Sequence, residues 1–174
     1  IQFRFEVLRN QVNPHFLFNS FNTLISTIED DPKMAVEYVE QLSDFFRNIV
    51  TYRDKDIIAL KEELNLLQTY FFLQQKRYGD TLVMQVNINE EAATTNYIPP
   101  LTLQLLVENA IKHNAVSRES ILKIAIYISG DKLIVHNNIN PKQHKDSSSG
   151  MGLQNIINRY NILTDKKVQI NNDN

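Results

Sequence analysis

Ile98-Pro99-Pro100-Leu101-Thr102-Leu103-Gln104-Leu105-Leu106-Val107-Glu108-Asn109-Ala110-Ile111-Lys112-His113-Asn114 is the stretch that decides the fold. The proline pair opens a helix from Leu101 to about His113, with Leu103, Leu106, Val107 and Ala110 as its core stripe. Glu108 and Lys112 stand one turn apart, as do Asn109 and His113, so a polar rim runs beside the stripe. The amide oxygen of Asn109 suits a magnesium shell otherwise filled by waters and phosphates, and Lys112 offsets phosphate charge. Read alone, the same pattern is a solvated helix face with an ordinary Glu–Lys pair.

The segments on either side of this helix change period. Downstream, Ile121–Ser129 and Lys132–His136 read as a strand hairpin turned at Gly130-Asp131, followed by a polar loop, 137–149. A helix from Gly152 to about Leu163 and a short strand at Val168–Ile170 close the chain. Upstream, Glu90 to Tyr97 reads as polar loop. Leu82, Met84, Val86 and Ile88 alternate as a half-buried strand, and Leu60, Leu64, Leu67 and Phe71 mark a helix ending near Gly79. The charged break from Arg53 to Asp56 is the candidate domain boundary. Before it stand two helices: Gln2 to about Glu29, with a kink expected at Pro14, and Pro32 to about Tyr52. The second carries Ala35, Val39, Leu42, Phe46 and Ile49 at heptad spacing, a seam that a second copy could complete into a four-helix bundle. Packing of the hairpin on its own chain is the other way to bury that seam. The expected class is α+β: residues 1–54 a helical dimerisation part, residues 55–174 a mixed helix-and-sheet part.

The 174 residues are 43 % hydrophobic and 22 % charged, with a net charge of −2, which suits a globular chain and gives no basic footprint for nucleic acid. No cysteine is present, which excludes disulfides, thiolate metal sites and cysteine nucleophiles. No apolar run is long enough to span a bilayer. The four histidines, at 15, 113, 136 and 144, show no metal-ligand spacing. The chain opens inside a helical pattern and is read as cut from a longer protein.

Two further clusters carry chemistry. Asn13-Pro14-His15-Phe16-Leu17-Phe18-Asn19 presents an imidazole, which can accept a phosphoryl group because its neutral nitrogen is nucleophilic near pH 7. Ser149-Gly150-Met151-Gly152-Leu153-Gln154-Asn155 puts a glycine pair at a helix start, where backbone N–H groups can approach an anion, with Arg159 further along the same helix. Each cluster alone is a weak signal.

Together they resemble, in chain order, the phosphoacceptor motif, the N box and the second glycine box of the LytS/YehU-type sensor histidine kinases. Tyr70 to Tyr78 and Ile98 to Gln104 are similar to the framework of that family. The resemblance implies a GHKL (Bergerat-type) ATP-binding sandwich after a dimeric helical hairpin. It implies that ATP phosphorylates His15, with Glu108 the candidate base. Asn109 would hold magnesium. Lys112 and His113 would meet phosphate, and Gly150, Gly152, Leu153 and Arg159 would line the cofactor site under a lid at 140–149. The phosphate would pass to an aspartate on a response regulator, often one with a LytTR-type DNA-binding domain. The kinase itself would bind no nucleic acid and would meet the membrane only through upstream segments, which makes this its cytoplasmic portion.

One box departs from the family. Where many such kinases have Asp-x-Gly, this chain has Asn137-Asn138-Ile139, and Asn137 offers adenine a neutral, weaker acceptor. Phe16 also follows His15, where better-known histidine kinases have an acidic residue. Two rival readings therefore stand beside the kinase: an ATP-gated GHKL switch without phosphotransfer, and a pseudokinase dimerisation module.

Overall fold

A computed structural model describes residues 14–52, 54–142 and 151–171. The first two elements form a helical hairpin, α1 (Pro14–Asp30) and α2 (Pro32–Tyr52). Pro32 occupies the first position of α2, where a missing N–H costs nothing. Asp31 caps α2 by accepting the Met34 backbone N–H at 3.1 Å. The stretch from Gln2 to Asn13, including Asn10 opposite the expected kink, lies outside the described residues.

The hairpin leads into a short strand β1 (Ile58–Ala59) and the central helix α3 (Leu60–Tyr78). Glu62 reaches back to accept the Ala59 N–H at 3.1 Å, half of a capping box. Gly79, at φ 56°, ends α3 in a conformation that favours glycine. Strand β2 (Leu82–Asn87), helix α4 (Glu90–Thr95), strand β3 (Tyr97–Ile98) and helix α5 (Thr102–His113) follow. A strand hairpin, β4 (Leu122–Ser129) and β5 (Lys132–Asn137), precedes the last helix, α6 (Met151–Leu163). Strand β4 lies between β2, to which it is parallel, and β5, to which it is antiparallel. Strands β1 and β3 make a separate two-stranded antiparallel pair. The class is α+β, a helical region followed by a mixed-sheet domain, as expected.

Helix α3 sits at the centre. Leu66, Leu67, Tyr70 and Leu73 are essentially without solvent exposure, because α3 is covered by α2 on one side and by α5 and the sheet on others. Phe16 of α1, Phe45 of α2 and Tyr70 of α3 form an aromatic triangle with ring centroids 5.3 to 5.6 Å apart. One hydrophobic core therefore runs from the hairpin through α3 and α5 into β4.

Several local expectations need correction. The stripe of α2 buried within the chain itself is Ala35, Tyr38, Leu42, Phe45 and Ile49; of the heptad seam, Val39 is exposed and Phe46 half-buried. Tyr38 is 1 % exposed, and burial pushes its hydroxyl pKa up, with Ser20 and Thr23 of α1 opposing that rise. Helix α4 replaces the expected loop: the Asn89 side chain accepts the Ala92 N–H at 2.7 Å, and Glu90 and Glu91 suit the first turn. Residues 168–170 form no strand, although the Lys132 ammonium of β5 donates to the Gln169 side chain at 3.0 Å.

Candidate functional site

His15 stands exposed in the first turn of α1. The Asn19 side-chain Nδ2 lies 3.1 Å from Nδ1 and 3.2 Å from Nε2 of the ring, one helical turn away. That amide can donate to whichever ring nitrogen carries no proton, so Asn19 bears on the tautomer as well as the position of the imidazole. Phe16, the next residue, is buried in the aromatic triangle and fixes the helix turn that carries His15.

The N-box residues lie on α5, which packs against α3, α6 and the β4–β5 hairpin. Leu103, Val107, Ala110 and Ile111 are buried, while Leu106, expected in the core, is only half-buried. Glu108 and Asn109 are half-buried; Lys112 and His113 are exposed in the last turn. Basic groups there also oppose the negative end of the helix dipole. Gln104, buried one turn before Glu108, has its Nε2 3.5 Å from Glu108 Oε2, at the edge of a hydrogen bond. Its Oε1 has no partner among the described residues.

The end of α5 is tied to the loop that follows β5. Asn114 is buried; its Nδ2 donates to the Ala110 carbonyl at 2.8 Å and its Oδ1 accepts the Asn140 N–H at 2.7 Å. The Ala115 N–H donates in turn to the Asn140 carbonyl at 2.7 Å. Asn138 takes the Lys123 N–H at 2.7 Å and donates to the Ile121 carbonyl at 2.9 Å. The loop base is therefore stitched to both α5 and β4. Asn137, half-buried at the end of β5, donates its Nδ2 to the Asn138 carbonyl at 2.8 Å, a bond that uses the donor end of its amide. The acceptor end is the one an adenine amino group requires.

Gly150 and the lid from 143 to 149 lie outside the described residues. Gly152 falls in the first turn of α6, and Leu153 is half-buried behind it. Arg159 points to the other end of α5: its guanidinium donates to the Pro100 carbonyl at 3.1 Å. The structure thus gathers Glu108, Asn109, Lys112 and His113 on one helix and puts Asn137 on a strand packed beside it. Arg159 meets the start of that helix, two turns before Asn109. A shell of carboxamide oxygen with nearby cationic groups fits Mg-ATP in chemistry, since magnesium keeps mostly water and phosphate oxygens and needs few protein ligands.

One residue that the sequence reading passed over lies at that same junction. Glu63 of α3 is fully buried, and its carboxylate accepts the backbone N–H groups of Leu101 at 2.9 Å and Leu103 at 2.8 Å. A Lys-Glu-Glu-Leu run ordinarily reads as a solvated helix face, and no local signal marks this glutamate as different.

The sequence profile of the family described as Histidine kinase matches residues 3–82. The sensor protein LytS of Bacillus cereus is 33 % identical over 146 residues, covering 84 % of this chain and 24 % of that protein. LytS of Staphylococcus haemolyticus is 41 % identical over 106 residues, 61 % of this chain and 18 % of that protein. The sensor histidine kinase YpdA of Escherichia coli is 30 % identical over 169 residues, 90 % of this chain and 30 % of that protein. The chain thus spans about a quarter of the length of the relatives it matches. No helix among the described residues is long and apolar enough to cross a membrane. With several such proteins matched over most of its length, the chain belongs to the LytS-type sensor histidine kinase family.

Proposed function

We propose that this chain is the kinase core of a two-component sensor, autophosphorylating His15 from Mg-ATP and passing the phosphate to a response-regulator aspartate. The observation that carries the reading is the N-box helix itself. It presents half-buried Asn109 beside exposed Lys112 and His113, and its end at Asn114 accepts the Asn140 N–H.

ATP supplies the phosphoryl group, and magnesium, when bound, neutralises its charge; the chain positions the groups around them. Asn109 would offer the metal its amide oxygen, and Lys112 and His113 would meet phosphate oxygens, with the glycine-box helix beside them. Asn137 accepts from the adenine amino group. Asn19 holds the imidazole of His15 at rest; once the amide releases the unprotonated ring nitrogen, that nitrogen attacks the γ-phosphorus. A nitrogen–phosphorus bond forms, the bond to the bridging oxygen breaks with its electrons going to ADP, and Glu108 is the candidate to take the ring proton.

Residues 1–54 serve as dimerisation and phosphoacceptor part, and residues 55–174 as ATP-binding part. Phe18, Phe21, Ile25, Ile28, Val36 and Val39 remain exposed on the hairpin although its inner face is already buried on α3. A second copy covering that outer face makes the four-helix bundle. Val36→Lys is expected to convert a dimer to monomer in sedimentation; an unchanged mass rules out this face. The family reading extends to a regulator of the LytTR type and to a cytoplasmic position below upstream membrane segments.

Binding is tested by melting with Mg-ATP. A ligand specific for the folded state raises Tm, by about 2.7 kcal/mol of stabilisation at a hundredfold excess over Kd. The native chain is expected to gain and Asn109→Ala to lose most of the gain. No gain in the native chain favours the pseudokinase module instead.

A further inference from the structure

The start of α5 is unusual in three respects. Leu101, its capping residue, has φ 66° and ψ 9°, a left-handed conformation disfavoured for a leucine, and it is the one non-glycine residue at positive φ among those described. No side chain of the same segment caps the helix. The unpaired amides are taken instead by Glu63, a carboxylate from a different helix, 38 and 40 residues earlier in the chain. Such backbone strain persists only where the surroundings hold it. The Arg159 guanidinium completes the junction by holding the Pro100 carbonyl from α6.

We propose that Glu63 is a positioning residue for the nucleotide site, a clamp that fixes the N-box helix α5 to α3. Because α3 also carries Tyr70 of the aromatic triangle, the clamp joins α5 rigidly to the hairpin that bears His15. This inference rests on the ATP-binding reading above for its consequence, though not for the clamp itself. Moving α5 along its axis by a fraction of a turn shifts Asn109, Lys112 and His113 together.

The groups facing the carboxyl are Tyr52 of α2 and Arg159 and Tyr160 of α6, with Glu62 next to it on α3. Among them only Arg159 brings positive charge, and burial holds the carboxyl up to about 7. Below that pH one oxygen becomes a donor facing backbone N–H groups, and the clamp loosens.

The test combines amide hydrogen exchange with Mg-ATP binding, on the native chain and Glu63→Gln. The variant keeps size but presents an NH2 group to one of the amides. Exchange at Leu101 and Leu103 is expected to rise at least about tenfold, with β4 amides unchanged as the control for folding, and Mg-ATP affinity to fall about tenfold. Native affinity, divided by that of the variant at each pH, is expected to rise as pH passes through 7. Unchanged exchange overturns the clamp. Faster exchange with unchanged affinity, or a pH-independent ratio, overturns its positioning role. If the native chain binds no nucleotide, the ATP reading and with it the positioning role fail, while exchange still decides the clamp. If Glu63→Gln does not fold, protection at Leu101 and Leu103 relative to Leu105, followed in the native chain from pH 6 to 8, takes its place. Rising protection supports the clamp; flat protection overturns it.

Discussion

Phe45→Ala is expected to cost about 3–5 kcal/mol of stability, enough to lower Tm by roughly 10 °C in a chain of this size. Phe45 is 1 % exposed, with Phe16, Phe46 and Tyr70 rings 5.4 to 5.6 Å away. Truncation removes the buried ring and leaves a cavity between three helices whose backbones are fixed by other contacts. It also removes edge and tilted ring contacts, each worth about 0.5–1.5 kcal/mol beyond burial. Ile162→Ala is the control: that side chain is 82 % exposed and should change stability by less than about 0.5 kcal/mol. Urea unfolding of the two variants measures both. A loss under about 1 kcal/mol for Phe45→Ala would mean that the hairpin is not seated on α3 as described.

Glu63 governs the second large effect, the pH dependence of stability. Burial raises its carboxyl from 4.5 to about 7 in the folded chain, against the lowering by the Leu103, Leu101 and Gln104 amides and by Arg159. Between those two values the folded chain holds a proton that the unfolded chain has released. Stability therefore falls as pH rises through this window, is fully present below about 4.5, and levels off above about 7. The integrated change is on the order of 3 kcal/mol. Glu63→Gln cannot titrate there, so the native chain should lose that amount relative to the variant between pH 4.5 and 7.5. Denaturant unfolding at several pH values reads the difference directly, and a difference that stays constant contradicts the burial argument.

These two residues also mark where the sequence was legible and where it was not. The α5 helix, the β4–β5 hairpin at Gly130-Asp131 and the helix after Gly152 follow from periodicity and turn chemistry, because their signals are local. The N-box residues fall on one helix for the same reason. Helix α2 was readable as a helix, but the stripe it buries on its own chain was not. Apolar residues line two adjacent stripes, and the one with Phe45 turns inward onto the ring of Tyr70, a contact between helices that no local pattern shows. Helix α4 was passed over because Glu-Glu-Ala-Ala-Thr-Thr offers no apolar stripe, although Asn89 was a usable cap signal. Glu63 was beyond local reading altogether. Its partners are backbone amides some 40 residues away, created by a leucine in a left-handed conformation that nothing in Pro-Pro-Leu-Thr announces.

The hairpin, the central helix and the N-box helix share one core, and the exposed imidazole of His15 stands on the hairpin. On the proposed reading, α5 holds the nucleotide and the hairpin carries the histidine that receives its phosphoryl group. The most direct measurement is incubation of the chain with magnesium and γ-labelled ATP, alongside His15→Gln. Label on the native protein that is lost in acid, survives base and is absent from His15→Gln is the predicted result. Label of equal amount on His15→Gln would contradict the account, because the acceptor would then be another residue.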